Sequence, residues 1–543
     1  MSSVLSRLRI GSRRSDLARL QAQMVGMKLG TNQYVFKEAP GDVNLKDPLW
    51  KMPEMGVFTS FLRRYLVSRE IDLVVHSWKD LPIEKDEFTE IVGTLPRADP
   101  RDLLLISKTA LADAYKTGTL IVLSSSPRRK HNLPDFLRKS IPVGPNGERI
   151  TNIEFRDVRG NIQTRLLKLC GPEKPEDPLT GEKFHPHGLV VAKAAIDRFL
   201  WAGTVLPEFA PTSDLVKHCI SQCLWQVLPL SVNPTAAAQG ALAVEMMEEP
   251  RDITVAVAST INHTPTFAAV NEERRILQSL GGGCHQKIGC TILKREYGKV
   301  TFLRGVTDVN QAEITVARID GEHGWSKEEE SRKQLDEKIL SLCVQIGGKN
   351  GVQLFDRVDV AGAAKTVDDR LRTVSSEVGL MVAKSDALPL TVTDIGDDRP
   401  VWTAGTSTWY ALASRGIWVN GSSDSLGESE NPDIDWLTGT NTKWLKLTHT
   451  DSCKSADHCV GTYTLVPRNR AVDISGRKFF YFSSGSVFRE LMRMHPDLVE
   501  EFRNGSKIAG CGPGNTWEYM KEAQVPVRVA YNFADFQRQI ANS

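Results

Sequence analysis

Residues 71–82 read IDLVVHSWKDLP, and the fold turns on how that stretch is taken. The run Leu73-Val74-Val75 is too short and too apolar for a helix with a wet face. It reads as a strand buried on both sides, the kind that sits centrally in a parallel sheet. The strand runs directly into Ser77, Lys79 and Asp80. Open α/β sheets bind their ligands beyond the carboxyl ends of the strands. A carboxylate at Asp80 is therefore placed to stabilise a developing cation or to manage protons. Alone, a Lys-Asp pair at a corner is more often a solvated turn.

Working outward, Arg9-Ile10 opens a strand, and residues 15–29 read as a helix capped by Ser15 or Asp16. Residues 36–49 read as a strand and then a loop, and 58–68 have helical apolar spacing. Further strands are expected at 119–123 and 189–191. Strands alternating with helices imply an α/β fold. The insertion PEKPEDPLTGEKFHPH (172–187) is a surface loop by its prolines. From Thr254 the order changes to a strand, a helix over 266–280 and strands over 289–301, a smaller α+β domain reaching residue 347. Residues 348–398 read as a connection, and 399–543 as an additional C-terminal α/β domain.

The chain has 543 residues, enough for several domains, and its 68 Lys/Arg against 66 Asp/Glu leave a net charge of +2. That balance excludes a general nucleic-acid coat, and no nucleic-acid partner is expected. No run of 18 apolar residues occurs and the N-terminus lacks a signal-like apolar core, so a cytoplasmic location without membrane association is expected. The nine cysteines are scattered and odd in number, which fits reduced thiols. Cys219 and Cys223 share a helical spacing. His449, Asp451, Cys453, His458 and Cys459 cluster in sequence, but their spacings match no standard zinc pattern, so no metal is expected.

Three segments set arginines beside small or hydroxyl residues: SRRS (12–15), SSSPRR (124–129) and RDVRGNIQTR (156–165). Guanidinium groups grip carboxylates bidentately, and helix N-termini add backbone donors. One such segment is ordinarily a set of surface ion pairs. Three in a nearly neutral chain indicate one concave site for a polyanion. In LGGGCHQKIG (280–289), three glycines leave the Cys284 sulfur little shielded, which suits a covalent attachment point.

Seven motifs then fall in order: RIGSRRS (9–15), VVHSWKDLP (74–82), DPRD (99–102), SSSPRR (124–129), VRGNIQTRL (158–166), AAAQGALAVE (236–245) and GGGCHQKIG (281–289). Together they resemble the porphobilinogen deaminases, or hydroxymethylbilane synthases, over residues 8–347. The resemblance implies two doubly wound, periplasmic-binding-like domains, 1–102 plus 225–247 and 103–224, and a small α+β cofactor domain, 248–347. It implies a monomer that joins four porphobilinogen molecules head to tail, with loss of ammonia, into hydroxymethylbilane. The implied cofactor is dipyrromethane, held through a thioether to Cys284. Asp80 is the implied catalytic group. Ser77, Lys79, Ser125, Arg128 and Arg129 are implied cofactor contacts, and Arg13, Ser15, Arg159, Arg165 and Gln239 implied partners for substrate carboxylates.

Lys51 and Phe58 match the family's lid segment, while Met55 stands where a second lysine is expected and Pro40 replaces an arginine before the matching Asp42. Leu123-Ser124 replaces the usual Gly-Thr, and Gly281 an acidic residue. Residues 391–543 hold 16 Lys/Arg, 18 Asp/Glu and six of the 11 tryptophans, which sets the end of the chain apart. KFFYFSSGSVFREL (478–491), KIAGCGPGNTWEYM (507–520) and VPVRVAYNFADF (525–536) resemble uroporphyrinogen III synthase, with Ser484, Ser486 and Thr516 near helix starts. That resemblance implies cyclisation of the bilane. The other readings are a degenerate structural module after an active deaminase, or a non-catalytic anion sensor on the periplasmic-binding-like part. Cys284 and Asp80 discriminate against the sensor, which needs neither.

Overall fold

The computed structural model describes residues 2–38, 60–177, 181–248, 250–281, 287–307, 311–320, 337–396, 398–453, 457–468 and 470–542. The expected sites at Cys284, Lys51 and Phe58, the matching Asp42, and the departures at Pro40 and Met55 lie outside the described residues. The described residues form a mixed α/β structure with five sheets.

The chain enters with β1 (Ile10–Arg13), β2 (Tyr34–Lys37), β3 (Leu73–Ser77) and β4 (Thr89–Gly93). It crosses to β5 (Asp102–Ser107), β6 (Thr119–Leu123), β7 (Asn152–Arg156), β8 (Gly188–Ala192) and β9 (Cys223–Val227), then returns through β10 (Leu242–Met247). Two five-stranded sheets result, β2-β1-β3-β10-β4 and β7-β6-β8-β5-β9. In each, the fourth strand comes from a crossing segment and runs antiparallel to its neighbours, while the first three are parallel. Leu73, Val74 and Val75 are buried, as are Leu103, Leu104, Leu105 and Ile106. Covered on both faces, these strands read as unbroken apolar runs.

β9 stays in the second sheet through Val227 and β5 begins there at Asp102, so the second lobe is slightly longer at both ends than the expected 103–224. A larger correction concerns the expected strand after Thr254. Residues Arg251–Ile261 form a helix. Its β-branched composition favours a strand, but Ile253, Val257 and Ile261 recur every four residues and pack into the core under the first sheet, with Leu73, Val75 and Val244. Tertiary packing overrides propensity here. The helix Thr264–Ser279 follows, then β11 (Gly289–Arg295), β12 (Gly298–Val306) and β13 (Glu313–Asp320), which form a three-stranded sheet.

By compactness the chain divides into two units, Met1–Arg138 with Asn146–Ile292 and Phe302–Thr315, and Lys139–Pro145 with Leu293–Thr301 and Val316–Ser543. The second contains β14 (Cys343–Ile346), β15 (Phe355–Asp359), β16 (Gly379–Val382), β17 (Val401–Thr403), β18 (Gly421–Ser422), β19 (Trp444–His449), β20 (Cys459–Pro467), β21 (Phe479–Phe482), β22 (Ile508–Cys511) and β23 (Val527–Val529). They build a six-stranded sheet, β15-β20-β19-β16-β17-β18, and an all-parallel four-stranded one, β14-β21-β22-β23. Residues 348–398 are therefore no connection: they supply β15 and β16, and the six-stranded sheet is inserted between β14 and β21. β15 is an edge strand with three of its five residues exposed, so it carries little apolar signal. Cys453 and Cys459 are disulfide-paired, Cα atoms 5.5 Å apart, rather than reduced. Among the described residues no group of His, Cys, Asp or Glu is placed to hold a metal, and no helix is long and apolar enough to cross a membrane.

Candidate active site

Each arginine-rich segment leaves the carboxyl end of a strand. Arg13 ends β1, residues 124–129 follow β6, and 157–165 follow β7, while Lys79 and Asp80 form a single turn directly after β3. Ser15 starts the helix Asp16–Leu29 without a capping hydrogen bond from its side chain. Asn161 caps Ile162–Cys170 by accepting from Thr164 N at 2.9 Å, which fixes the helix that carries Arg165.

The structure brings cations from both lobes together. Burial pulls the Arg165 guanidinium down to about 10; Arg129 and Arg159 push the same way, and Asp80 opposes. Burial also lowers the Lys79 ammonium, with Asp80 and Asp102 opposing and Arg129 and Arg128 adding to the fall. Lys168 is lowered by burial and by Arg165. Asp80 is exposed at the edge of this group. Like charges crowd here against the cost of their desolvation, and groups perturbed in this way cluster at functional sites.

The hydrogen bonds refine several expected roles. Ser77 Oγ donates to Gln21 at 2.9 Å. Ser125 Oγ donates to Val158 O at 2.9 Å and accepts from Val158 N at 2.8 Å, so it staples two loops of the second lobe. Gln239 is buried and accepts from Lys79 Nζ at 3.3 Å while donating to Pro100 O at 2.7 Å and Asp102 Oδ1 at 2.8 Å. Arg165 Nε donates to Gly160 O at 2.9 Å. The residue that sequence reasoning passed over is Asp102. It is fully buried and receives Arg128 Nη2 and Arg129 Nε at 2.9 Å each, and Arg129 Nη2 at 2.6 Å. Burial alone would raise its carboxyl, but Arg129 and Arg128 hold it far below the usual carboxylate range. The DPRD motif marked the position without revealing the role.

The two lobes also touch beside this cluster. Asp16 Oδ2, from the first lobe, accepts Gln163 Nε2 at 2.7 Å and Thr212 Oγ1 at 3.1 Å from the second. A two-lobed α/β protein with converging cations at its strand ends belongs to the class that handles polyanionic small molecules. The family model described as "Porphobilinogen deaminase, dipyromethane cofactor binding domain" matches residues 8–255. The porphobilinogen deaminase of Desulfitobacterium hafniense is 30% identical over 345 residues, covering 62% of this chain and 96% of the relative. That of Caldicellulosiruptor saccharolyticus is 31% identical over 290 residues, 52% and 84%. A solved structure, Thermus thermophilus uroporphyrinogen III synthase, aligns with a TM-score of 0.19 and 14% identity, covering 37% of this chain and 99% of that one. The chain belongs to the porphobilinogen deaminase family, transferases that act on porphobilinogen, and it carries the family's dipyrromethane-binding domain.

The residues present fit that cofactor. Two pyrrole rings bring four carboxylates, and each added porphobilinogen brings an acetate and a propionate. Lys79, Arg128, Arg129, Arg159 and Arg165 interact electrostatically with one another around two carboxylates, Asp80 and Asp102.

Proposed function

We propose that the chain joins four porphobilinogen molecules into hydroxymethylbilane on a dipyrromethane primer carried by Cys284, as a cytoplasmic monomer with two periplasmic-binding-like lobes. We further propose that the second unit cyclises the product to uroporphyrinogen III. The observation that carries the first reading is the convergence of the half-buried Arg165 with Arg129 and Arg159 at the strand ends, with Asp80 as the opposing carboxylate.

The cations orient each substrate by its acetate and propionate, which converts an encounter into a held geometry. Asp80 accepts hydrogen bonds from pyrrole N–H groups and stabilises the positive charge that develops as the aminomethyl C–N bond breaks. The departing nitrogen leaves as ammonia. The methylene carbon bonds to the free α-carbon of the preceding ring, which releases its proton. Bound dipyrromethane supplies the first such α-carbon. After the fourth addition, water closes the sequence by taking the place of the acceptor ring at the bond that releases the bilane.

Support for the second reading lies at the strand ends of the second unit. Tyr531 Oη donates to Asp424 O at 3.1 Å and Asn515 Nδ2 to Glu428 at 3.0 Å, which brings the carboxyl ends of the two sheets together. Ser484 caps the helix Gly485–Met494, and Ser486 and Thr516 lie buried near helix starts.

Intact mass tests the primer: the protein should exceed its sequence mass by two porphobilinogen units less two ammonias, and Cys284→Ala should remove the increment and the turnover. An unmodified mass in an active protein would overturn the assignment. With porphobilinogen supplied, uroporphyrinogen III is the expected product. Formation of the I isomer alone would remove the cyclisation reading.

A further inference from the structure

We propose that Asp102 is a positioning residue of the deaminase reaction, setting the guanidinium groups of Arg128 and Arg129 in the orientation that receives pyrrole carboxylates. This rests on the reading of those arginines as cofactor and substrate contacts.

The geometry is specific. Asp102 opens β5, the strand that enters the second lobe from the crossing segment, while Arg128 and Arg129 lie on the helix Pro127–Asn132 beyond β6. Four side chains besides the carboxylate's own strand, Arg128, Arg129, Asn233 and Gln239, therefore have to be folded correctly before the group is complete. Arg128 Nη1 donates to Asn233 Oδ1 at 2.7 Å and Pro234 O at 2.8 Å, and its Nη2 to Asp102. Arg129 donates through Nε and Nη2 to Asp102 and through Nη1 to Val190 O at 2.9 Å. Asn233 Nδ2 and Gln239 Nε2 complete the carboxylate's shell at 2.9 and 2.8 Å.

A guanidinium has five N–H groups. Three in each arginine are spent in these bonds, which leaves two in each with a direction set by the other three. Two adjacent buried guanidiniums repel, and a carboxylate between them makes their close approach tolerable. Gln239 extends the arrangement to Lys79, so one buried carboxylate aligns cations from both lobes. Both arginines are nearly closed to solvent, 3% and 7% exposed, so water does not compete for their alignment. A pre-set donor pair loses less freedom on binding than a mobile one, and misplacement by an ångström is costly in rate and affinity.

The test uses the full chain with Asp102→Asn, which keeps the size and removes the charge. In the folded fraction, the expected result is a rise of ten-fold or more in KM for porphobilinogen and a fall in primer occupancy by intact mass. A purely structural role lowers the yield and Tm but leaves KM of the folded, loaded fraction unchanged. Full loading with KM within two-fold of the parent overturns the proposal, as does loss of stability alone. Should Asp102→Asn fail to fold, Asn233→Ala decides: it removes one donor to Asp102 and one acceptor for Arg128, and a three-fold rise in KM is expected. An unchanged KM in that variant overturns the proposal. Arg129→Gln separates the two levels of inference. If it raises KM while Asp102→Asn does not, the positioning role alone fails. If Arg129→Gln is itself silent in KM and loading, the reading of the site fails with it.

Discussion

Beyond β3, β6 and β7 stand Lys79, Arg128, Arg129, Arg159 and Arg165; beyond β21 and β22 stand Ser484, Ser486 and Thr516 among glycines. Both regions are parallel-stranded α/β layers that end in short loops and helix starts. The first invests in buried charge and needs an internal carboxylate to hold it. The second offers hydroxyls and backbone N–H groups, and its sequence from 391 onward has two more acids than bases. The same architecture thus supports one region with converging cations at its strand ends and another that offers mainly hydroxyls and backbone N–H groups there. Under the functional reading above, the first has to collect substrates from solution by charge, while the second has to shape one product already at hand.

The sharpest way to break the comparison is to unfold one side of it. Phe480 is fully buried in β21 and meets Phe502 edge-on, ring centroids 5.5 Å apart. Removal of a buried aromatic ring costs about 3–5 kcal/mol. Phe480→Ala should lower the Tm of the second unit and abolish formation of the III isomer. Ammonia release from porphobilinogen should stay within two-fold of the parent, read by a colour assay for the bilane. A parallel collapse of both activities would show that the two regions are not separable.

Asp80→Asn addresses the first site's chemistry without touching its charge collection. Removal of one group that stabilises transition-state charge costs about 10²–10³ in kcat. A loss of that order is expected, with an unchanged Tm because Asp80 is exposed. Near-parent turnover would remove Asp80 from the mechanism.

What could be read in the sequence, and what could not, follows the same division between local and non-local physics. β3 and the turn at Lys79-Asp80 were legible because a doubly covered strand is an apolar run and its end is abrupt. The helix Arg251–Ile261 was not, because its composition favours a strand and only the first lobe's core selects the helix. β15 reads as part of a connection because an edge strand shows few apolar residues, and β16 because its buried run is only four residues long. Asp102 was invisible as a hub because its partners at 128, 129, 233 and 239 are distant in sequence. Ser125 and Gln239 were legible as polar groups near the site, but their internal partners were not.

Acid distinguishes the regions by sign. Glu245 is buried in β10 and accepts from His76 at 2.9 Å, Thr89 at 2.6 Å and Arg63 at 2.7 Å. Burial opposes ionisation, but His76, Thr89 and Arg63 outweigh it and lower the carboxyl from 4.5 to about 2. A depressed carboxyl contributes stability that is present above its unfolded value and lost as pH falls through the folded one. The contribution, on the order of 3 kcal/mol, should therefore disappear between pH 4.5 and 2. Asp320, in the second unit, is shifted the other way: burial raises it, against Arg318 and Arg538. Its contribution is present at low pH and falls as pH rises through the folded value. Glu245→Gln should flatten the acid limb of the first unit's unfolding curve, and Asp320→Asn should leave that limb alone. An acid limb unchanged in Glu245→Gln would assign it to other carboxylates.

The smallest effect is expected at the contact between lobes. Asp16 holds Gln163 at 2.7 Å and Thr212 at 3.1 Å across the cleft, with Arg19 at 3.5 Å on its own helix. The group is half-exposed, so the surface ion pair contributes little and the hydrogen bonds about 1 kcal/mol together. Asp16→Ala should lower stability by that amount and leave Asp80-dependent chemistry in place. Thr212→Val removes one of the two donors from the far side. If the bonds form one clasp, the double variant loses no more than Asp16→Ala alone, because the threonine's partner is already gone. Fully additive losses in that cycle would show two independent surface contacts instead. Under the proposed function the clasp matters to the comparison, because the first unit would admit successive rings between its lobes. A contact of about 1 kcal/mol can open and close during that growth, whereas the buried Asp102 arrangement, with five N–H donors on one carboxylate, cannot. Charge alignment and lobe separation are thereby assigned to different residues, one fixed and one yielding.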